Sequence, residues 1–214
     1  MLNYEYLIKL LNELKFNVYF MIMPYHFERK PETSLFSGEY FFSGDLFRTQ
    51  NAFKQAVLDI EACFQFIGNE SNLPNILMGF SMGGCVSLRH FVLNKQETPT
   101  FLINPLTNLS SVIWDSPLLV TIGRDLKNIG LDKEKCEKFF VEMDPCKNLG
   151  ENFSGEKLAM VYSNYDQIIE ENKYRNFIEI AGLKNAQAYN AGHLNILRVP
   201  KLAKDVYDFV RQAY

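Results

Sequence analysis

The sequence predicts an α/β fold: a mostly parallel sheet with helices on both faces and a small helical cap. Three observations carry that expectation. Short apolar runs without a charge recur along the chain, segments with helical spacing of apolar residues separate them, and one Gly79-Phe-Ser81-Met-Gly83 stretch lies between such a run and such a helix. Uncharged runs suit strands buried on both faces, which is how parallel sheets use them. Their alternation with helices then calls for a sheet covered on both sides.

Taken in order, Leu7, Leu10, Leu11 and Leu14 fall at helical spacing, which predicts an amphipathic helix over 4–14. The run 17–23, Asn-Val-Tyr-Phe-Met-Ile-Met, stops at Pro24 and reads as a buried strand. Residues 24–44 are rich in turn formers and read as one long loop. Asp45 is placed to cap a second helix whose inner stripe is Phe53, Val57, Ile60, Phe64 and Ile67. Strands are expected at 75–80, 100–103, 158–162 and 186–189, with helices after the serine to about Leu93, over 168–181, and at the end, where Leu202, Val206, Phe209 and Val210 form the inner face. From about 104 to 155 the pattern shifts to two short helical stretches, near 111–122 and 132–142, separated by Gly130. This segment reads as a cap inserted into a single domain spanning 1–214.

Composition narrows the function. The chain has 214 residues, 47% hydrophobic and 22% charged, which suits one globular domain and excludes disordered and coiled-coil classes. A net charge of −3 with scattered lysines offers no footprint for nucleic acid. No run approaches 18 uncharged apolar residues and no basic leader precedes an apolar stretch, so a cytoplasmic protein without a membrane span is expected. Cys63, Cys85, Cys136 and Cys146 show neither a C-x-x-C pair nor histidines at zinc spacing, so reduced structural thiols are expected and no metal or cofactor is implied. Homo-oligomerisation stays open.

A serine on a sharp strand-to-helix turn needs glycines around it to avoid steric collision, and here Gly79 and Gly83 occupy those positions. Its hydroxyl needs a base, and a third group to fix that base. Three histidines are available. His90 lies nine residues down the helix, roughly 13 Å from the serine at 1.5 Å per residue, and is too far. His26 follows the 17–23 strand and shares the same sheet edge as a second choice. His193, in Asn190-Ala-Gly-His, follows the last strand and is preferred, with Gly192 expected to let the loop turn. Asp166 follows the 158–162 strand and is the best-placed acid; Asp115 and Asp144 lie in the cap, and helix capping is the alternative role for all three.

With Gly79-x-Ser81-x-Gly83-Gly84, Asp166 and Gly192-His193 in hand, the chain resembles the α/β-hydrolases over about residues 4–213. The resemblance implies Ser81 as nucleophile, His193 as general base and then acid, Asp166 as its orienting acid, and the Met82 N–H as one oxyanion donor. It implies a small-molecule ester, or a thioester, cleaved through an acyl-serine. The cap residues Ile113, Trp114, Pro117, Leu118, Leu119 and Ile122 would line an acyl pocket or pack as an ordinary helix pair.

The chain departs from the family at one point. The second oxyanion donor comes from the loop before the first helix, usually marked His-Gly, and this sequence starts at that helix without the loop or its strand. Three arrangements answer the resulting gap: an upstream start, a strand from another chain or segment, or direct pairing of 17–23 with 75–80. The first is the leading expectation. Tyr25 or His26 are substitute donors, and a catalytically weak or inactive hydrolase-like protein is the alternative function.

Overall fold

A computed structural model describes residues 2–214; the side chains of Leu2, Asn3, Ser111 and Leu118 lie outside that description. Four parallel strands, β1 (Leu77–Phe80), β2 (Thr100–Ile103), β3 (Leu158–Ser163) and β4 (Ala186–Tyr189), pair in the order β1-β2-β3-β4. Register runs from Phe80 opposite Ile103, through Ile103 opposite Val161, to Ser163 opposite Tyr189. The C-terminal ends of all four strands therefore share one rim.

Two compact units make up the chain. The sheet unit holds residues up to Tyr19 with Pro74–Asn108 and Pro145–Tyr214; the second unit holds Phe20–Leu73 and Leu109–Asp144. In the sheet unit, α1 (Leu2–Glu13) and α8 (Pro200–Ala213) cover one face, where Leu7, Leu11, Leu202, Val206 and Phe209 pack with Phe101, Ile103, Ala159 and Val161. Burying the three α8 side chains contributes about 5–9 kcal/mol before chain entropy. Pro200 suits the start of α8, since its fixed φ fits a first turn whose amide has no intrahelical acceptor. On the opposite face lie α3 (Met82–Leu93), with Leu88 and Phe91 buried, and α7 (Glu171–Ile180), whose Tyr174 meets Tyr162 of β3 at 5.2 Å between ring centres.

The second unit contains α2 (Leu46–Glu70), α4 (Leu109–Asp115), α5 (Val120–Asn128) and α6 (Lys133–Phe140). Asp45 caps α2, accepting from the Arg48 N–H at 3.0 Å. The expected inner stripe holds only in the first half: Phe53 and Ile60 are buried, whereas Val57, Phe64 and Ile67 are half-buried and Ala52 and Ala56 take the core positions. The segment 104–155 forms three α-helices among the described residues rather than the two expected. Pro117 breaks the first after Asp115, because a residue before proline is disfavoured in helical angles. Ile113 is buried, and its carbonyl lies against Gly123; Leu118 lies outside the described side chains.

The 17–23 run corrects the sequence reading. It forms no strand, Tyr19 and Phe20 are exposed, and 77–80 pairs only with β2 among the described residues. An apolar run becomes a strand only when a neighbour satisfies its backbone groups, so the contracted sheet is not the arrangement adopted. Among the described residues, no helix is long and apolar enough to cross a membrane. Among the described residues no cysteine is joined in a disulfide, and Cys85 is fully buried in α3.

Candidate active site

Ser81 sits between β1 and α3 with φ 54° and ψ −118°, a conformation that costs a non-glycine residue of order 1–3 kcal/mol. Backbone bonds on both sides hold it there: its N–H donates to the Ile103 carbonyl, and its own carbonyl accepts from Cys85 and Leu106. The glycines around it divide differently from the motif. A Cβ on Gly79 would lie 2.4 Å from the Gly83 carbonyl oxygen, and one on Gly84 would lie 2.8 Å from Pro105, whereas one on Gly83 would meet nothing within 4 Å. Steric necessity thus falls on Gly79 and Gly84, and the second motif glycine is sterically free.

His193 and Asp166 meet this serine at the same rim. His193 follows β4, Asp166 follows β3, and the ring spans them: Nε2 lies 2.9 Å from Ser81 Oγ and Nδ1 lies 2.7 Å from Asp166 Oδ2. An ionised carboxylate only accepts hydrogen bonds, which assigns the ring proton to Nδ1 and leaves Nε2 to accept from the hydroxyl. The pair is nearly dry, with side-chain exposures of 4% for His193 and 1% for Asp166, and the Phe80 ring packs against the imidazole at 5.1 Å. Gly192 has no left-handed φ, so the loop does not draw on glycine's freedom there. His26 serves elsewhere: its ring packs on Phe41 in the second unit and its Nδ1 bonds the Pro24 carbonyl. His90 is buried within α3.

Asp166 also caps the turn that follows it. Oδ1 accepts from the Ile168 and Ile169 amides at 2.8 and 3.0 Å, so capping and histidine contact are filled by one residue. Burial pushes its carboxyl pKa up, but the His193 hydrogen bond and the Ile169 and Ile168 amides outweigh that and hold it below the ordinary value. Tyr174, which no sequence motif marks, donates its phenol O–H to the same Oδ2 at 2.8 Å. Burial and the adjacent Asp166 charge push the Tyr174 phenol far above its usual range, so it stays a donor. Asn104, also missed, bonds Ser163 and the His193 carbonyl. Its sequence signal is an Asn-Pro pair directly after a strand.

Met82 opens α3, and amides in a helix's first turn have no intrahelical acceptor. Its N–H is thus a free-ended donor beside the serine, with the helix dipole behind it. Among the described residues, no three His, Cys, Asp or Glu side chains are grouped to hold a metal ion.

No protein-family model matches the sequence, and no curated protein matches it either. Solved structures do. A Paleococcus ferrophilus monoacylglycerol lipase is similar over 98% of this chain and 88% of its own, at 15% identity and a TM-score of 0.59. A Pyrococcus furiosus esterase is similar over 97% and 75%, at 17% identity and a TM-score of 0.61. A Thermus thermophilus protein is similar over 89% and 74%, at 12% identity and a TM-score of 0.56. At these identities the likeness speaks for architecture, and it agrees with the all-parallel sheet and the helices on its two faces. The chain has a shortened α/β-hydrolase fold.

Proposed function

We propose that this protein is a serine hydrolase that cleaves a carboxylic ester or thioester through an acyl-serine. The observation that supports this most is the continuous Ser81–His193–Asp166 hydrogen-bonded line, drawn from the ends of three different strands. Ser81 Oγ attacks the substrate carbonyl while its proton passes to His193 Nε2. Asp166, already ionised, stabilises the imidazolium without taking its proton. Negative charge that develops on the carbonyl oxygen is met by the Met82 N–H. The imidazolium then protonates the departing alkoxide or thiolate, leaving the acyl group on Ser81. A water, deprotonated by His193, repeats the attack on the acyl-serine and releases the acid. A fluorophosphonate probe should label Ser81 in the folded protein and fail on Ser81→Ala; absence of labelling in the folded wild type removes the proposal.

A weakly active or inactive hydrolase-like protein is the second reading, and one observation favours it. β1 has no partner on its outer edge among the described residues, and in this fold the second oxyanion donor comes from the loop next to that edge. Lacking one donor typically costs about 100- to 1000-fold in turnover. The two readings separate on rate: labelling of Ser81 without measurable turnover of short p-nitrophenyl esters supports the second.

A further inference from the structure

We propose that Asn104 is a positioning residue for His193, a role that rests on the Ser81–His193–Asp166 reading. Asn104 is the first residue after β2 and is fully buried at 0% exposure. Its main-chain N–H extends the ladder to the Val161 carbonyl at 2.9 Å. The side chain then reaches across the end of β3. Oδ1 accepts from the Ser163 N–H at 2.8 Å, and Nδ2 donates to Ser163 Oγ at 2.9 Å and to the His193 carbonyl at 3.0 Å. Ser163 Oγ in turn donates to the Gly192 carbonyl at 3.2 Å. One carboxamide therefore links the C-terminal ends of β2 and β3 to the backbone of the base itself.

The position of this link is what gives it consequence. Strand pairing between β3 and β4 ends at Ser163 and Tyr189, and two further main-chain bonds, from the Asn164 N–H to the Tyr189 carbonyl and from the Tyr165 N–H to the Ala191 carbonyl, carry the contact on, so His193 stands two residues past the last of them, followed by exposed Leu194 and Asn195. A loop at that distance needs another anchor to hold a ring within the roughly 0.5 Å that a catalytic geometry tolerates. Asn104 supplies it at the carbonyl of residue 193. The backbone carries a cost for this: Asn104 has φ +41° although it precedes Pro105, and a proline biases its predecessor toward extended angles. Asn tolerates the left-handed region better than most residues, and its side chain carries both the donor and the acceptor that the three strand ends require. An apolar residue would fill the space but would leave the His193 carbonyl and the Ser163 N–H without partners.

Two variants test this. Asn104→Asp keeps shape and acceptor while replacing the donor with a charge facing a carbonyl; Asn104→Gly removes the carboxamide and relaxes the positive φ, which keeps a foldable backbone. Circular dichroism verifies folding. Three readouts are taken: the fluorophosphonate labelling rate at Ser81, kcat and KM on a p-nitrophenyl ester, and the far-downfield proton resonance of His193 Nδ1 shared with Asp166. A misplacement near 1 Å costs about 100-fold, so a labelling rate and kcat lower by about 10- to 100-fold are expected, with KM within about threefold and the downfield resonance broadened or lost. Wild-type labelling with the resonance intact in both folded variants overturns the proposal, as does a rise in KM at unchanged kcat. If the wild type shows the resonance but never labels, the hydrolase reading falls; loss of that resonance in the variants then still supports the positioning role.

Discussion

Exchanging Gly83 and Gly84 separately for alanine should give opposite results, although the sequence motif names only the first. At Gly84 a new Cβ would stand 2.8 Å from Pro105 Cα and Cβ and 3.2 Å from the Gly79 carbonyl oxygen. Carbon atoms settle at roughly 3.5–4.0 Å, so α3 or the Pro105 backbone must yield by about 0.7 Å. Overpacking of this kind costs about 1–3 kcal/mol, and the helical gain of alanine over glycine returns about 0.5–1 kcal/mol. Gly84→Ala should therefore lose up to about 2.5 kcal/mol. At 2–4 °C per kcal/mol for a chain of this size, the melting temperature falls by up to about 10 °C. At Gly83 the new Cβ meets nothing within 4 Å and φ is not left-handed, so only the helical gain remains. Gly83→Ala should raise the melting temperature by about 1–4 °C and leave Ser81 labelling in place. Differential scanning calorimetry reads both. If Gly83→Ala destabilises as much as Gly84→Ala, the steric assignment around Ser81 is wrong.

Three further outcomes follow from the same geometry. Tyr174→Phe removes a buried phenol from Asp166 Oδ2 and should cost about 1.5–3 kcal/mol in urea unfolding, as hydrogen bonds to charged groups do; a change below about 0.5 kcal/mol would contradict the contact. Asp166 is held below its ordinary pKa in the folded state, so its contribution is complete above the unfolded value near 3.9 and is lost as pH falls through the folded value. The urea midpoint of the wild type, compared with Asp166→Asn, should thus hold an advantage at pH 7 that shrinks below about pH 4; an advantage that grows on acidification reverses the sign and rejects the argument. Asp45→Ala removes the cap on α2 and should cost about 0.5–2 kcal/mol, measured as a lower urea midpoint with unchanged Ser81 labelling.

Periodicity made the sheet legible where residues were buried on both faces. Thr100–Ile103 and Leu158–Ser163 are buried at every position, and both were expected from their uncharged apolar runs. The same signal misled at 17–23, because an apolar run does not reveal whether a neighbouring strand exists to pair with it. The serine turn was visible because its strain demands glycine nearby, yet which glycines are required depends on Pro105, a neighbour made close only by folding. His193 and Asp166 could be picked out because each closely follows a strand, a relation that pattern reading does see. Tyr174 and Asn104 could not: the first looks like one apolar position on a helix, the second like the start of a loop, and each acquires its role from a contact 8 and 89 residues away in the chain.

In the proposed reaction a substrate acyl group is carried covalently on Ser81. Rapid quenching of the protein with p-nitrophenyl acetate, followed by peptide mass analysis, tests it directly. One acetyl group is expected on the peptide containing Ser81, absent in Ser81→Ala and strongly reduced in His193→Ala. Ester hydrolysis by Ser81→Ala at the wild-type rate, or wild-type acetylation confined to residues other than Ser81, would contradict it.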